Sequence, residues 1–240
     1  MADDNSFLIA ASILGANWLE FGSALQIVEK AGADILQIDV ADGHFAPTIT
    51  FGEELVRSIR AVSKLPIEVH LMVDNPNDWI PRMAQNGANT IIFHVESVNR
   101  LQGTIEFARR NNVCVGIALN TETRVETIEH ILNYVDVVTL MAILPGFARQ
   151  AFIPEAYIKI ERLRNMVDKI PNKRPIIEVD GGVKDTNIQK IIAAGADAVV
   201  VSSAIFDAET PIDAVKNIRK KGGLITKNSS VREYVERLKN

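Results

Sequence analysis

The chain has 240 residues, 47% hydrophobic and 23% charged, and its 26 Lys and Arg against 30 Asp and Glu give a formal charge of −4. That acidic balance argues against a nucleic-acid binder, and a single cysteine, Cys114, excludes a disulfide framework or a multi-cysteine metal centre. No apolar run approaches the roughly 18 residues of a membrane span, and the acidic, polar opening Met1-Ala-Asp-Asp-Asn-Ser6 is the reverse of a secretory signal, so a cytoplasmic globular protein is expected.

Eight short, almost continuously apolar runs follow one another: Phe7–Leu14, Ile35–Val40, Ile67–Met72, Thr90–Val95, Cys114–Leu119, Asp136–Ile143, Ile176–Asp180 and Ala198–Phe206. Such runs are expected of parallel strands buried on both faces. The stretches between them carry apolar residues three and four apart; Val125–Val135 and Tyr157–Met166 are examples and predict amphipathic helices. Three helix-to-strand junctions repeat Gly-Ala, at Gly32, Gly87 and Gly195, where glycine suits the left-handed residue that ends a helix.

Strict alternation of strand and helix predicts a parallel sheet with right-handed crossovers. Eight units with no strand left over predict an α/β chain closed into a single (β/α)8 TIM barrel, about 7–222, followed by a short C-terminal helical extension over 223–240. No linker rich in Pro, Gly or Ser divides the chain. Lys220-Lys-Gly-Gly223 ends the last barrel helix, and Ser229–Lys239 reads as an appended helix capped by Ser229 or Ser230. Its Val231, Tyr234, Val235 and Leu238 are set to pad the barrel bottom or extend a subunit contact, the first being favoured.

Active sites of this fold use the C-terminal ends of the strands and the loops that follow. Side chains alternate along a strand, so Gln37 shares a face with Asp39, Glu68 with His70, and Glu178 with Asp180. Asp39 and Asp180, arriving from opposite sides of the mouth, are candidates to flank a planar intermediate. With His70 they also offer carboxylate and imidazole donors for a divalent metal. His44, His94 and His130 make weaker candidates, and His130 is expected on the surface. Loops after strands seven and eight often hold a phosphate in such barrels. Gly181-Gly182 and Ser202-Ser203 lie there, Gly146 permits close backbone approach, and Arg149 is a candidate charged donor.

These residues resemble the ribulose-phosphate 3-epimerase family over about Phe7 to Phe206. The carriers are Ala11-Ser-Ile-Leu14, Ile38-Asp-Val-Ala-Asp-Gly-His-Phe-Ala-Pro47, Val69-His-Leu-Met-Val73, Pro145-Gly-Phe147 and Glu178-Val-Asp-Gly-Gly-Val183. The resemblance implies interconversion of D-ribulose 5-phosphate and D-xylulose 5-phosphate by proton transfer at C3, with Asp39 and Asp180 as the two catalytic groups. It implies one divalent ion (Zn, Fe, Mn or Mg) on Asp39, His70 and Asp180, with Gln37 as a further candidate ligand. Ser12 and His70 would contact the sugar, Met72 and Met141 would pack on the intermediate, and the loop Gly146, Phe147, Ala148 and Arg149 would face the phosphate with Gly181, Gly182, Ser202 and Ser203. Association into a homo-oligomer is implied by the resemblance alone.

The chain departs from the family pattern at the mouth. Gln37 stands where a histidine ligand is usual, and Ala41 where a methionine is, which is expected to enlarge the pocket. Ala148 and Arg149 replace two glycines, and Ser202 replaces another. A carboxamide is a weaker ligand for zinc or iron than imidazole, so manganese or magnesium would gain. Two other readings stay open: a 3-epimerase of a different ketose phosphate, such as allulose 6-phosphate, and a metal-deficient sugar-phosphate-binding paralogue. A Schiff-base aldolase is disfavoured because no lysine sits inward at a strand end; Lys64 precedes strand three and Lys184 follows Gly181-Gly182.

Overall fold

The computed structural model describes residues 7–171, 173–223 and 229–238. The acidic opening and Lys239 lie outside the described residues. Eight parallel strands, β1 (Leu8–Ser12), β2 (Ile35–Ala41), β3 (Ile67–Met72), β4 (Thr90–His94), β5 (Cys114–Leu119), β6 (Val137–Met141), β7 (Ile176–Asp180) and β8 (Ala198–Val201), pair in sequence order, and β8 closes on β1. Every strand residue is buried, the inward polar ones such as Gln37, Glu68 and Glu178 included. Around the barrel stand α1 (Phe21–Ala31), α2 (Glu53–Arg60), α3 (Pro76–Gln85), α4 (Leu101–Arg109), α5 (Ala156–Val167), α6 (Ile188–Ala193), α7 (Ser203–Phe206) and α8 (Pro211–Gly222); α9 (Ser229–Leu238) follows. None of the helices described is long and apolar enough to cross a membrane.

The outward strand residues, such as Ile38, Val69, Phe93 and Ile117, pack against helix residues such as Val28, Ile59 and Ile105 in one continuous core. The predicted left-handed caps are present: Gly32, Gly87 and Gly195 have φ of +79°, +102° and +113°. Gly223, with φ +73°, caps α8 where the Gly-Gly pair predicted its end.

Two expectations differ from the structure. Val125–Tyr134 is a 3₁₀ helix, not an α-helix. Its buried Val125, Ile128 and Ile131 recur every three residues, the repeat of a 3₁₀ turn, so a single row of contacts suffices to seat it. The strands predicted through Leu14, Ile143 and Phe206 stop earlier: Leu14 and Ile143 line the mouth cavity, and Ile205 and Phe206 pack on the core from α7. Ser12 ends β1 by accepting from the Leu14 amide at 3.2 Å, which starts a 3₁₀ turn over Ile13–Gly15. Beyond β8 the chain turns into α7.

Inward residues form three levels. At the bottom, Leu8, Ile35, Cys114, Val137, Ile176 and Ala198 meet Val231, Tyr234 and Leu238 of α9, which closes this end. The middle level is polar: Gln37 lies beside Glu68, Glu68 beside Thr90, and Thr139 beside Glu178. Asp39, His70, Met141 and Asp180 stand above it at the mouth.

Candidate active site

Strand register brings Asp39 of β2 next to His70 of β3, and barrel closure brings Asp180 of β7 to the same imidazole. His70 Nδ1 lies 3.1 Å from Asp39 Oδ1 and 3.5 Å from Asp180 Oδ2. Ser12 Oγ donates to the other Asp39 oxygen at 2.6 Å. All four side chains are buried. Burial alone would lower the pKa of His70, but hydrogen bonds and charge from Asp180 and Asp39 outweigh it and raise the value to about 10. Burial raises the pKa of Asp180; hydrogen bonding by His70 opposes this, and the charge of Asp39 reinforces it.

Behind His70 stands a residue ranked low from the sequence. His94 Nε2 lies 2.9 Å from His70 Nε2, and His94 Nδ1 lies 3.2 Å from Glu96 Oε2. Burial lowers His94 to about 4. Glu96 is pulled down to about 2, since hydrogen bonds from His94, Thr123 and the Asn120 amide outweigh its own burial. The roles follow: His70 donates to neutral His94, which donates to the Glu96 carboxylate. Phe45 packs on the His94 ring with centroids 4.6 Å apart. His44 and His130 are exposed and take no part.

Ser12, Asp39, His70, Met72, Met141, Gly146, Phe147, Ala148, Arg149, Asp180, Gly181, Gly182, Ser202 and Ser203 line one cavity at the mouth. Leu14, Ile143, Val183 and Val200, which sequence reasoning did not single out, line it too. Their signal was their place at strand ends. Gly182 cannot be replaced: φ is +65°, and a Cβ there would sit 2.5 Å from the Phe152 amide nitrogen. The Gly15 amide donates to Ser202 Oγ at 3.0 Å, tying the first loop to the last.

Arg149 lines the cavity, but its guanidinium is turned to Asp207, with Nη2 at 2.8 Å, and to the Gly15 carbonyl at 3.1 Å. Ala41 packs in a small cluster with Ala46, Met72 and Phe45, and Met72 of that cluster lines the cavity.

One atom each from Asp39, His70 and Asp180 lies within 4.8 Å of the others, a buried set of two carboxylates and one imidazole that fits a divalent ion. Gln37, one pair below Asp39 on the same face, is wholly buried, and its Oε1 has no partner among the described residues. An orphaned buried carbonyl oxygen of this kind suits a cation or a water.

The model of the ribulose-phosphate 3 epimerase family matches residues 8–206. The chain is 42% identical over 202 residues to the ribulose-phosphate 3-epimerase of Aquifex aeolicus, covering 84% of this chain and 90% of that protein. It is 40% identical to the Bacillus subtilis enzyme of that name, covering 88% and 97%. The chain belongs to the ribulose-phosphate 3-epimerase family. More distant solved structures share the fold: 3-hexulose-6-phosphate synthase from Salmonella typhimurium has a TM-score of 0.66 at 16% identity, covering 90% of this chain and 98% of that one. Within the epimerase family match lie both aspartates, His70, His94 and the glycine-serine loops; α9 falls outside it.

Proposed function

We propose that the protein interconverts D-ribulose 5-phosphate and D-xylulose 5-phosphate by moving a proton at C3. The observation that carries this is the pair Asp39 and Asp180, which approach one imidazole from β2 and β7, with Nδ1 at 3.1 and 3.5 Å. Two carboxyls converging from different strands suit a planar enediolate between them, one removing a proton from one face and the other returning it on the opposite face. Asp39, with Ser12 and His70 directed at its oxygens, is the group that takes the proton of ribulose 5-phosphate. Asp180 delivers the second proton, and the roles exchange in reverse. Positioned acid–base groups of this kind contribute roughly 10²–10⁴-fold.

Asp39, His70 and Asp180 would hold a divalent ion, with Gln37 as a further donor. What the ion supplies when bound is Lewis-acid polarisation of the carbonyl beside the reacting carbon. His94 and Glu96 keep the His70 ring in place from behind, the usual arrangement for a metal-ligating histidine. Met72 and Met141 exclude water from the sugar face, and the phosphate is received by the loops carrying Gly146, Gly181-Gly182 and Ser202-Ser203.

The test is proton NMR of the Mn²⁺-supplemented protein in D2O with D-ribulose 5-phosphate and a panel of other ketose phosphates. Loss of the C3 proton signal with appearance of xylulose 5-phosphate is expected. Exchange on another sugar alone, or on none, would overturn the assignment.

A further inference from the structure

Tyr234 belongs to α9, beyond the residues the family model matches, yet it is wholly buried inside the barrel. Its ring packs with the apolar bottom level, which a phenylalanine would fill as well. Its hydroxyl enters the polar middle level, 2.8 Å from Thr90 Oγ1 and 3.4 Å from Glu68 Oε2. Burying a phenol is unfavourable unless the hydroxyl is paired, so sealing the barrel does not by itself explain a tyrosine here.

The contacts continue upward. Glu68 accepts on its other oxygen from Gln37 Nε2 at 3.4 Å, and Gln37 sits one level below Asp39 on the inward face of β2. Thr90 donates to Tyr234, Tyr234 donates to Glu68, and Glu68 fixes the nitrogen side of Gln37, which leaves Oε1 without a partner among the described residues. The orientation of the carboxamide beside the Asp39, His70 and Asp180 group is therefore set from the opposite end of the barrel.

We propose that Tyr234 is a positioning residue for the ion-binding and proton-transfer group, acting through Glu68 and Gln37. This inference rests on the epimerase reading above. It makes the C-terminal helix a working part of the site rather than a plug alone.

The test is a double-mutant cycle on the full-length chain with Tyr234→Phe and Gln37→Leu. Mn²⁺ affinity is read by electron paramagnetic resonance on metal-stripped protein, alongside kcat and KM. Direct partners of metal ligands change affinity about 10- to 100-fold. Tyr234 acts at a further remove, so Tyr234→Phe is expected to weaken Mn²⁺ binding about 3- to 10-fold and lower kcat by a similar factor, with KM little changed.

In the Gln37→Leu background the same change is expected to have no further effect, because the path is already cut. A general loosening of the barrel would act equally in both backgrounds, and that result would overturn the proposal, as would unchanged affinity and kcat in Tyr234→Phe. A parent protein that neither binds Mn²⁺ nor exchanges the C3 proton would instead overturn the epimerase reading on which the proposal stands.

Discussion

The mouth and the bottom of the barrel are ends of the same eight strands, but they use their polar groups differently. At the bottom, buried Asp136 accepts from the Val115 amide at 2.8 Å and meets Lys173, Arg237 and, at 3.8 Å, Arg109. Asn89 holds the Leu238 carbonyl at 3.2 Å. Charges there are matched by protein groups, and what they secure is the seat of α9. At the mouth, two carboxyls share one imidazole, and the Gln37 oxygen one level below has no partner among the described residues. Buried polar groups left short of partners are costly unless a ligand supplies them. Bottom residues other than Tyr234, whose hydroxyl reaches the middle level, should therefore govern stability, and mouth residues chemistry.

The largest effect expected from this division is at Asp180. Asp180→Asn keeps the shape and removes the acid–base group, so kcat should fall by about 10³-fold or more. Thermal denaturation should change little or even improve, because burial opposes the charge that is removed. Retained turnover in this variant would rule out Asp180 as a proton carrier.

Asp136→Asn should do the reverse. Removing one partner of a buried ion pair costs about 3–5 kcal/mol. Here the cationic side chains are 32–40% exposed, and water compensates part of the loss, so about 2–3 kcal/mol is expected. For a chain of this size that lowers Tm by roughly 4–12 °C, with kcat within about twofold of the parent in the assay of the Asp180 variant. A drop in kcat as large as that of Asp180→Asn would mean that the two ends are not separable in this way.

The same contrast explains what was legible in the sequence. Strands announce themselves because the strand faces packed on helices are apolar: Cys114–Leu119 reads as one apolar run, and Ile35–Ala41 is broken only by the inward Gln37 and Asp39. The mouth was legible because alternation fixes which side chains point inward, so Asp39, His70 and Asp180 could be grouped before any coordinates. Spacing could not tell 3₁₀ from α over Val125–Tyr134, since apolar residues three apart serve both. Nor could it reveal that His94, 24 positions from His70, supports that ring, because the pairing depends on the register between β3 and β4. The reach of Tyr234 into the middle level was illegible for a similar reason: helix spacing predicts a buried face, not which strand residues it meets.

Arg149 is where the division between the ends is finest. From the sequence it is a charged donor to the phosphate. In the structure its guanidinium is paired with Asp207 and the Gly15 carbonyl, and its own backbone is left-handed at φ +67°. Gln150 holds the Leu144 and Phe147 carbonyls at 2.7 and 2.9 Å, so the loop is already ordered without Arg149. The Arg149 and Asp207 side chains are 56% and 46% exposed, and an exposed pair contributes less than about 1 kcal/mol. If the arginine acts by tying the loop to Asp207, Arg149→Ala raises KM for the phosphorylated sugar less than about fivefold, and Asp207→Asn raises it by a similar amount. If instead the guanidinium swings onto the phosphate, Arg149→Ala costs a charge-assisted bond of about 1.5–3 kcal/mol, a KM increase of roughly 10- to 150-fold. Asp207→Asn would then leave KM unchanged or lower it by freeing the arginine. The position of the guanidinium favours the first outcome, and opposite responses of the two variants would overturn it.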